Sequence, residues 1–355
     1  MNKLGSIQVM RGVAAVMVLI GHAIAEAEHF MDMRLTAGWV PWTRGVDLFF
    51  VISGFIIAVS GRRYFGQKGG VGTFLVRRIV RVVPLYYLFT TLTLITLLVA
   101  PGGLKDTGFD PGQILSSYGF YPYAREDGRV APLLSLGWTL NYEMFFYLVF
   151  SACLAFRAPV GLLMLGTILL GLVAVGVMSG PGGTAFGFYT NSILVEFVLG
   201  VALAECWLRT RDLAPASFGA GVAILVLGFV LLIGLGAAFE TWPRAVTAGL
   251  PVTVMIAGPL YFWKDRVAEG IPAAAYLLGD SSYALYLSHR FVLRAVTLAL
   301  VPVLPQTMTG GWIYIGTVCA LAVGTGILVF RRVEVPMLSV LNRRLAGQKP
   351  MAGSV

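Results

Sequence analysis

The chain has 355 residues, of which 57% belong to the AVILMFWYC set and only 12% are charged, with a mean hydropathy of +0.82. Soluble domains carry about 25% charged residues, so this composition excludes a compact water-soluble protein. Apolar runs of about twenty residues recur along the chain, which excludes a β-barrel built from alternating strands of about ten residues.

Ten spans are predicted in chain order from uninterrupted apolar runs bounded by Pro, Gly and charge. They lie near 7–27, 45–61, 83–100, 137–156, 159–179, 188–208, 217–238, 245–263, 283–303 and 312–330. Arg290 and Arg294 interrupt the ninth, and the preceding stretch 268–282 reads as a possible re-entrant piece. With the N-terminus in the cytoplasm, 17 basic residues fall on cytoplasmic segments, six on outer ones and three (Arg11, Arg290, Arg294) within spans. That asymmetry follows the positive-inside rule. The net charge of +9 therefore reports topology, and no nucleic acid partner is implied. The expected fold is an all-α integral membrane protein, a polytopic bundle of about ten transmembrane helices with both termini cytoplasmic. Residues 1–336 form the membrane domain and 337–355 a short, loosely ordered cytoplasmic tail. Ala23-Ile24-Ala25 mimics a signal-peptidase site, but the many later spans favour a retained first helix. Cys153, Cys206 and Cys319 lie in apolar segments without CxxC spacing or a nearby His, so neither a disulfide framework nor a metal site is expected.

Ionisable residues inside spans are costly and usually face the bundle interior. Arg11 and His22 share the first span. Eleven steps of 100° overshoot three turns by only ~20°, so both project from one face, about 16 Å apart along the axis. His22 reads as a general base or as interhelical glue, and Arg11 as part of a site or as a snorkelling cation. Asp47 opens the second span and reads as a helix cap, while Ser53-Gly54 permits close helix approach. Arg77, Arg78 and Arg81 sit at i, i+3 and i, i+4 spacing in a cytoplasmic stretch, which suits phosphate oxygens or anchoring to anionic membrane lipid. In the fourth span, Trp138 suits the interface and Glu143 requires a partner, with His22 and Arg11 as candidates. Tyr286 lies three residues before His289 in the ninth span, whose Arg290 and Arg294 either bind an anion or snorkel. Glu196 and Glu205 in the sixth span carry weaker signals. Tyr118, Phe120, Tyr121 and Tyr123 form either a sugar-stacking loop or an interfacial belt.

Six ordered segments together resemble acyltransferase family 3, the integral-membrane acyltransferases of bacterial surface polysaccharides. They are Arg11-x10-His22, the block Gly45–Phe55, Arg78-Ile79-Val80-Arg81 followed by Pro84 and Tyr86, Trp138-Thr139-Leu140-x-x-Glu143-x-x-Phe146-Tyr147, Ser282–His289, and Glu334-x-Pro336. The resemblance implies a ten-helix enzyme of the bacterial cytoplasmic (inner) membrane. It would move an acyl group, commonly acetyl, from cytoplasmic acetyl-CoA to a hydroxyl of a polysaccharide or lipid-linked oligosaccharide presented outside. Members that modify exopolysaccharide are the most similar in style. Many relatives carry a fused SGNH hydrolase-like domain; this sequence shows none, so a stand-alone transferase is expected. The resemblance casts His22 as base or acyl carrier, Arg11 as holder of the pantetheine arm or thioester, and Glu143 as a group that orients His22 or assists proton transfer. It casts Arg78 and Arg81 as the coenzyme A clamp. The competing classes are a secondary transporter or flippase, with the same residues forming a proton or substrate path, and a structural partner in an export complex.

Overall fold

The computed structural model describes residues 4–31, 34–35, 39–100, 108–180, 182–213, 217–263 and 270–347. Lys3, Lys105, Lys264, Arg266 and Lys349, the tail beyond residue 347, and residues 268–269 of the re-entrant stretch lie outside the described residues. The described part is helical, with no β-sheet beyond a single bridge between Ala124 and Val130. In chain order the helices are α1 Gly5–Phe30, α2 Gly45–Gly61, α3 Gly70–Val99, α4 Pro111–Tyr118, α5 Trp138–Cys153, α6 Ala158–Ser179 and α7 Thr184–Tyr189. They continue with α8 Leu194–Thr210, α9 Phe218–Gly234, α10 Leu250–Phe262, α11 Ala273–Asp280, α12 Ser282–Leu300, α13 Met308–Val329 and α14 Val335–Gly347.

Among the described residues, 7 helical stretches are long and apolar enough to cross a membrane: Gly5–Phe30, Trp42–Tyr64, Gly70–Val99, Ala158–Ser179, Thr184–Thr210, Ala245–Phe262 and Met308–Leu345. The chain is a multi-pass membrane protein. The three remaining predicted spans coincide with α5, α9 and α12, which fall short in length or apolarity. The 16 residues of α5 rise only about 24 Å against a hydrocarbon core of about 30 Å.

Two boundaries differ from expectation. The basic stretch holding Arg77, Arg78 and Arg81 is not separate from the third span, since α3 runs unbroken from Gly70 to Val99 with Pro84 inside it. A proline inside a membrane helix forfeits one backbone bond, and neighbouring groups compensate. The acceptor freed by Pro84 is the Val80 carbonyl; two residues on, the Tyr283 hydroxyl donates to the Val82 carbonyl at 2.7 Å and ties α3 to α12 beside the proline. The tail is likewise ordered further than expected, because a π turn at Phe330–Glu334 leads directly into α14.

Helix α2 makes its most extensive packing against α8. A Cβ built on Gly54 would collide with the Phe197 carbonyl, and one on Gly200 with the Val51 carbonyl. The two helices therefore touch backbone to backbone, the close approach that small residues permit in membranes. Phe50, Phe55, Phe146, Phe150 and Phe197 are buried around this crossing, with Phe146 and Phe197 stacked at 4.4 Å between centroids. On the other side, α12 packs on α13 and α1 runs between the two groups. Leu163, Val177 and Met178 of α6 are exposed, as expected for a helix facing lipid.

Asp47 does not cap α2, whose N-terminus carries no side-chain cap. A stronger partner takes its charge. Arg244 grips it through Nε–Oδ1 and Nη2–Oδ2 contacts of 2.8 Å each. Fully buried Glu196 lies 3.4 Å from Arg244 Nε, and Arg44 approaches Asp47 at 4.0 Å. Two arginines and two carboxylates thus tie the start of α2, the start of α8 and the segment before α10 into one buried cluster.

Candidate functional site

Eight of the sequence-predicted residues line two cavities that share one wall, while Asp47, Arg77 and His289 line neither. The first has a volume of about 250 Å³ and is lined by Arg11, Ser53, Arg78, Arg81, Glu143, Tyr147, Tyr283 and Tyr286, with Phe49 and Phe50 among its apolar residues. The second has a volume of about 470 Å³ and is lined by His22, Arg125, Arg129, Ser135, Leu136, Trp138 and Arg290. Arg11 and His22 line different cavities, as their separation along one helix face requires. The first turn of α5 stands between the two, because Leu136 and Trp138 line the histidine cavity while Thr139, Leu140 and Glu143 line the arginine cavity. Tyr286 fixes that turn. Its hydroxyl lies 2.9 Å from Thr139 Oγ1 and donates to the Leu136 carbonyl at 3.1 Å. Phe49 packs edge-on against the Tyr286 ring at 5.9 Å.

The arginine cavity is polar on one side. Arg78 donates from Nη2 to Ser60 Oγ at 2.9 Å and lies over the Phe74 ring, while its Nε is buried without a hydrogen-bond partner. Arg81 is ion-paired with buried Glu334. Arg11 lies 3.4 Å from Gln8 Oε1. Glu143 accepts from Ser53 Oγ at 3.1 Å and from the Tyr147 hydroxyl. Arg77 is exposed and does not line the cavity; one step of 100° along α3 turns it away from Arg78. Donors outnumber acceptors here, and the spare donors suit an anionic guest.

The partner of His22 is not Glu143 but His289, with His22 Nδ1 and His289 Nε2 2.9 Å apart and the rings nearly parallel. The proton positions follow from the next shell. His289 Nδ1 lies 2.7 Å from the Tyr286 carbonyl and 3.2 Å from the Leu285 carbonyl. A carbonyl can only accept, so Nδ1 carries the proton, and neutral His289 presents a bare lone pair at Nε2. His22 Nδ1 must then donate to that lone pair, which leaves His22 Nε2 unprotonated. The network assigns one tautomer to each ring. The result is an imidazole whose free lone pair is fixed in place by a second imidazole, itself held by the backbone of α12.

A family model described as an acyltransferase domain matches residues 4–331. The chain belongs to this acyltransferase family. Three relatives illustrate its range. The exopolysaccharide production protein ExoZ of Rhizobium meliloti (strain 1021) is 33% identical over 258 residues, covering 72% of this chain and 78% of that protein. The acyltransferase MdmB of Streptomyces mycarofaciens is 25% identical, covering 82% and 79%. The peptidoglycan O-acetyltransferase OatA of Listeria monocytogenes is 27% identical, covering 82% of this chain and 51% of the longer protein. No solved structure matches the chain. The protein is therefore a membrane acyltransferase, and membership of an enzyme family decides against a transporter or a purely structural partner.

Several members of the acyltransferase's cavities carried no catalytic signal in the sequence. Arg125 and Arg129 belong to the loop before α5 and count in the sequence only as outer basic residues. His289 is present in the Ser282–His289 block, but nothing in that block says which ring it touches. The loop aromatics take intramolecular partners: Phe120 packs on Tyr86 at 4.8 Å, Tyr118 on Tyr87 at 5.1 Å, and Tyr123 donates to Asp110 at 2.5 Å. Only Tyr121 of the four is exposed as a large apolar surface.

Proposed function

We propose that this acyltransferase moves an acetyl group from cytoplasmic acetyl-CoA to a hydroxyl of an exopolysaccharide or another cell-surface glycan held on the opposite side of the bacterial inner membrane. The supporting observation is the pair of cavities on either side of the α5 turn, one rich in arginine and the other containing an oriented imidazole. The relatives named for exopolysaccharide production and for peptidoglycan O-acetylation support a glycan acceptor and an acetyl donor. A ten-span topology with both termini cytoplasmic puts the arginine cavity on the donor side, in keeping with the distribution of basic residues.

In this reading Arg78 and Arg81 bind the phosphates of coenzyme A, Arg81 exchanging Glu334 for the ligand. Arg11 and Glu143 line the path of the pantetheine arm, with Glu143 fixed by Ser53 and Tyr147 to accept from its amide N–H groups. The thioester passes the Tyr286–Thr139 contact to reach His22. The acceptor hydroxyl gives its proton to His22 Nε2 as its oxygen forms the new C–O bond to the acyl carbon. The C–S bond breaks, and the proton passes to the leaving thiolate, so the products are an ester and coenzyme A thiol. His22 serves here as general base and no acyl-enzyme is required.

The donor half is tested with Arg78→Ala combined with Arg81→Ala. A hydrogen bond to a charged group contributes about 1.5–3 kcal/mol, so the Kd for acetyl-CoA rises by roughly tenfold or more. The Kd for the phosphate-free acetyl pantetheine thioester, which makes none of these charged hydrogen bonds, stays within about threefold. Equal weakening of both ligands in a binding titration would reassign the arginines to folding or lipid anchoring.

A further inference from the structure

The histidine cavity has an excess of positive charge that proton transfer to His22 does not use. Arg125, Arg129 and Arg290 all line it. Arg125 and Arg129 share one carboxylate: Asp127 Oδ2 lies 3.5 Å from Arg125 Nε, and Arg129 donates to it from Nε at 2.9 Å and from Nη2 at 2.5 Å. The Arg129 hydrogen bond holds the Asp127 carboxyl down to about 2, so it is ionised and answers one of the two guanidinium groups. Arg290 is half-buried on α12, next to His289, and among the described residues it makes no hydrogen bond or ion pair. A half-buried cation without a partner is costly unless a ligand answers it, and the planar fork of arginine matches the two oxygens of a carboxylate or phosphate. Trp138 lines the same cavity and adds aromatic surface beside the fixed polar groups, the pairing expected of a ligand site.

We propose that the histidine cavity is an acceptor subsite for acidic sugars, in which an oxyanion on the glycan is held by Arg290 with Arg125 while the hydroxyl to be acylated faces His22. This rests on the reading of His22 as the base of glycan acylation and adds the acceptor's chemical class. A neutral glycan leaves Arg290 unanswered; a uronic acid carboxylate or a sugar phosphate ester answers it and fixes the register of the neighbouring hydroxyl. A lipid phosphodiester offers the same oxyanion, but the concave wall holding Trp138 and His22 favours a sugar.

The test is equilibrium binding to the purified full chain in neutral detergent, followed by calorimetry. The probes are cellobiouronic acid against cellobiose for the carboxylate, and glucose 1-phosphate against glucose for the phosphate. At least one acid binds roughly tenfold or more tightly than its neutral partner, and this preference falls with added salt. Arg290→Gln removes the preference while Arg290→Lys retains most of it, which separates loss of charge from loss of fold. Equal binding of both acids and their neutral partners overturns the proposal, as does an Arg290→Gln variant that weakens acid and neutral sugars alike. A response to phosphatidylglycerol in nanodiscs without any response to the acids also overturns it and gives the arginines to lipid. Acetyl-CoA turnover is measured on the same preparation. Preferential acid binding without acetyl transfer supports the anion subsite and refutes the transferase reading of His22, so the two fail separately.

Discussion

Replacing His22 by alanine lowers acetyl transfer by roughly 10²- to 10⁴-fold, the usual contribution of a positioned general base, while the protein still reaches the membrane. The size of the effect follows from how completely the imidazole is prepared. Its Nδ1 is committed to His289 at 2.9 Å, and His289 is committed through its own Nδ1 to backbone carbonyls of α12. The remaining nitrogen of His22 is therefore a lone pair beside a cavity where a hydroxyl can sit. Alanine also removes the donor to buried His289 Nε2, a cost of about 1–3 kcal/mol, but leaves no unpaired charge, so the fold is weakened and not lost. The check is the acyl content of extracellular glycan by NMR in cells carrying either form, with membrane fractions assayed for equal protein. Normal acyl content in the variant excludes His22 as the base.

The largest effect on stability is expected from Arg244→Met. Asp47 and Glu196 are both completely buried, and Arg244 is the cation that contacts both. Removing one partner of a buried ion pair typically costs about 3–5 kcal/mol, because the remaining charge has neither water nor counterion. Arg44 compensates only in part, since it stands at 4.0 Å from Asp47 and its guanidinium lies over the Phe239 ring. Methionine fills a similar volume, so the loss is electrostatic. Thermal unfolding in detergent reads it as a large drop in midpoint, and combining Asp47→Asn with Glu196→Gln in the Arg244→Met background recovers part of it. An unchanged midpoint in Arg244→Met would mean that the cluster contributes little.

The parts of this arrangement legible in the sequence are those governed by one helix at a time. The apolar run from Gly45 to Gly61 marks α2 to the residue, and the phase between Arg11 and His22 is set by 3.6 residues per turn. Ser53-Gly54 likewise announces a close crossing, though not that Phe197 and Gly200 stand opposite. Contacts between distant segments leave no such trace. Asp47 lies 197 positions from Arg244, so a carboxylate at a helix start reads as a cap when its true partner is outside the window. Glu143 is plausible beside His22 until the phase of α5 is fixed by Tyr286 and Thr139, which turns Glu143 into the other cavity. Pro84 is read as a boundary because local propensity stops a helix there, whereas packing against α12 carries α3 through it.

In the proposed function one polypeptide receives its acyl donor on one side of the lipid and acylates a hydroxyl on the other. The direct measurement uses proteoliposomes holding the purified protein, with radiolabelled acetyl-CoA sealed on the side of the arginine cavity and an acceptor glycan only on the side of the histidine cavity. Labelled ester on the external glycan, with coenzyme A thiol released inside, is the predicted result. Acetylation that occurs only when donor and glycan share a compartment would contradict it.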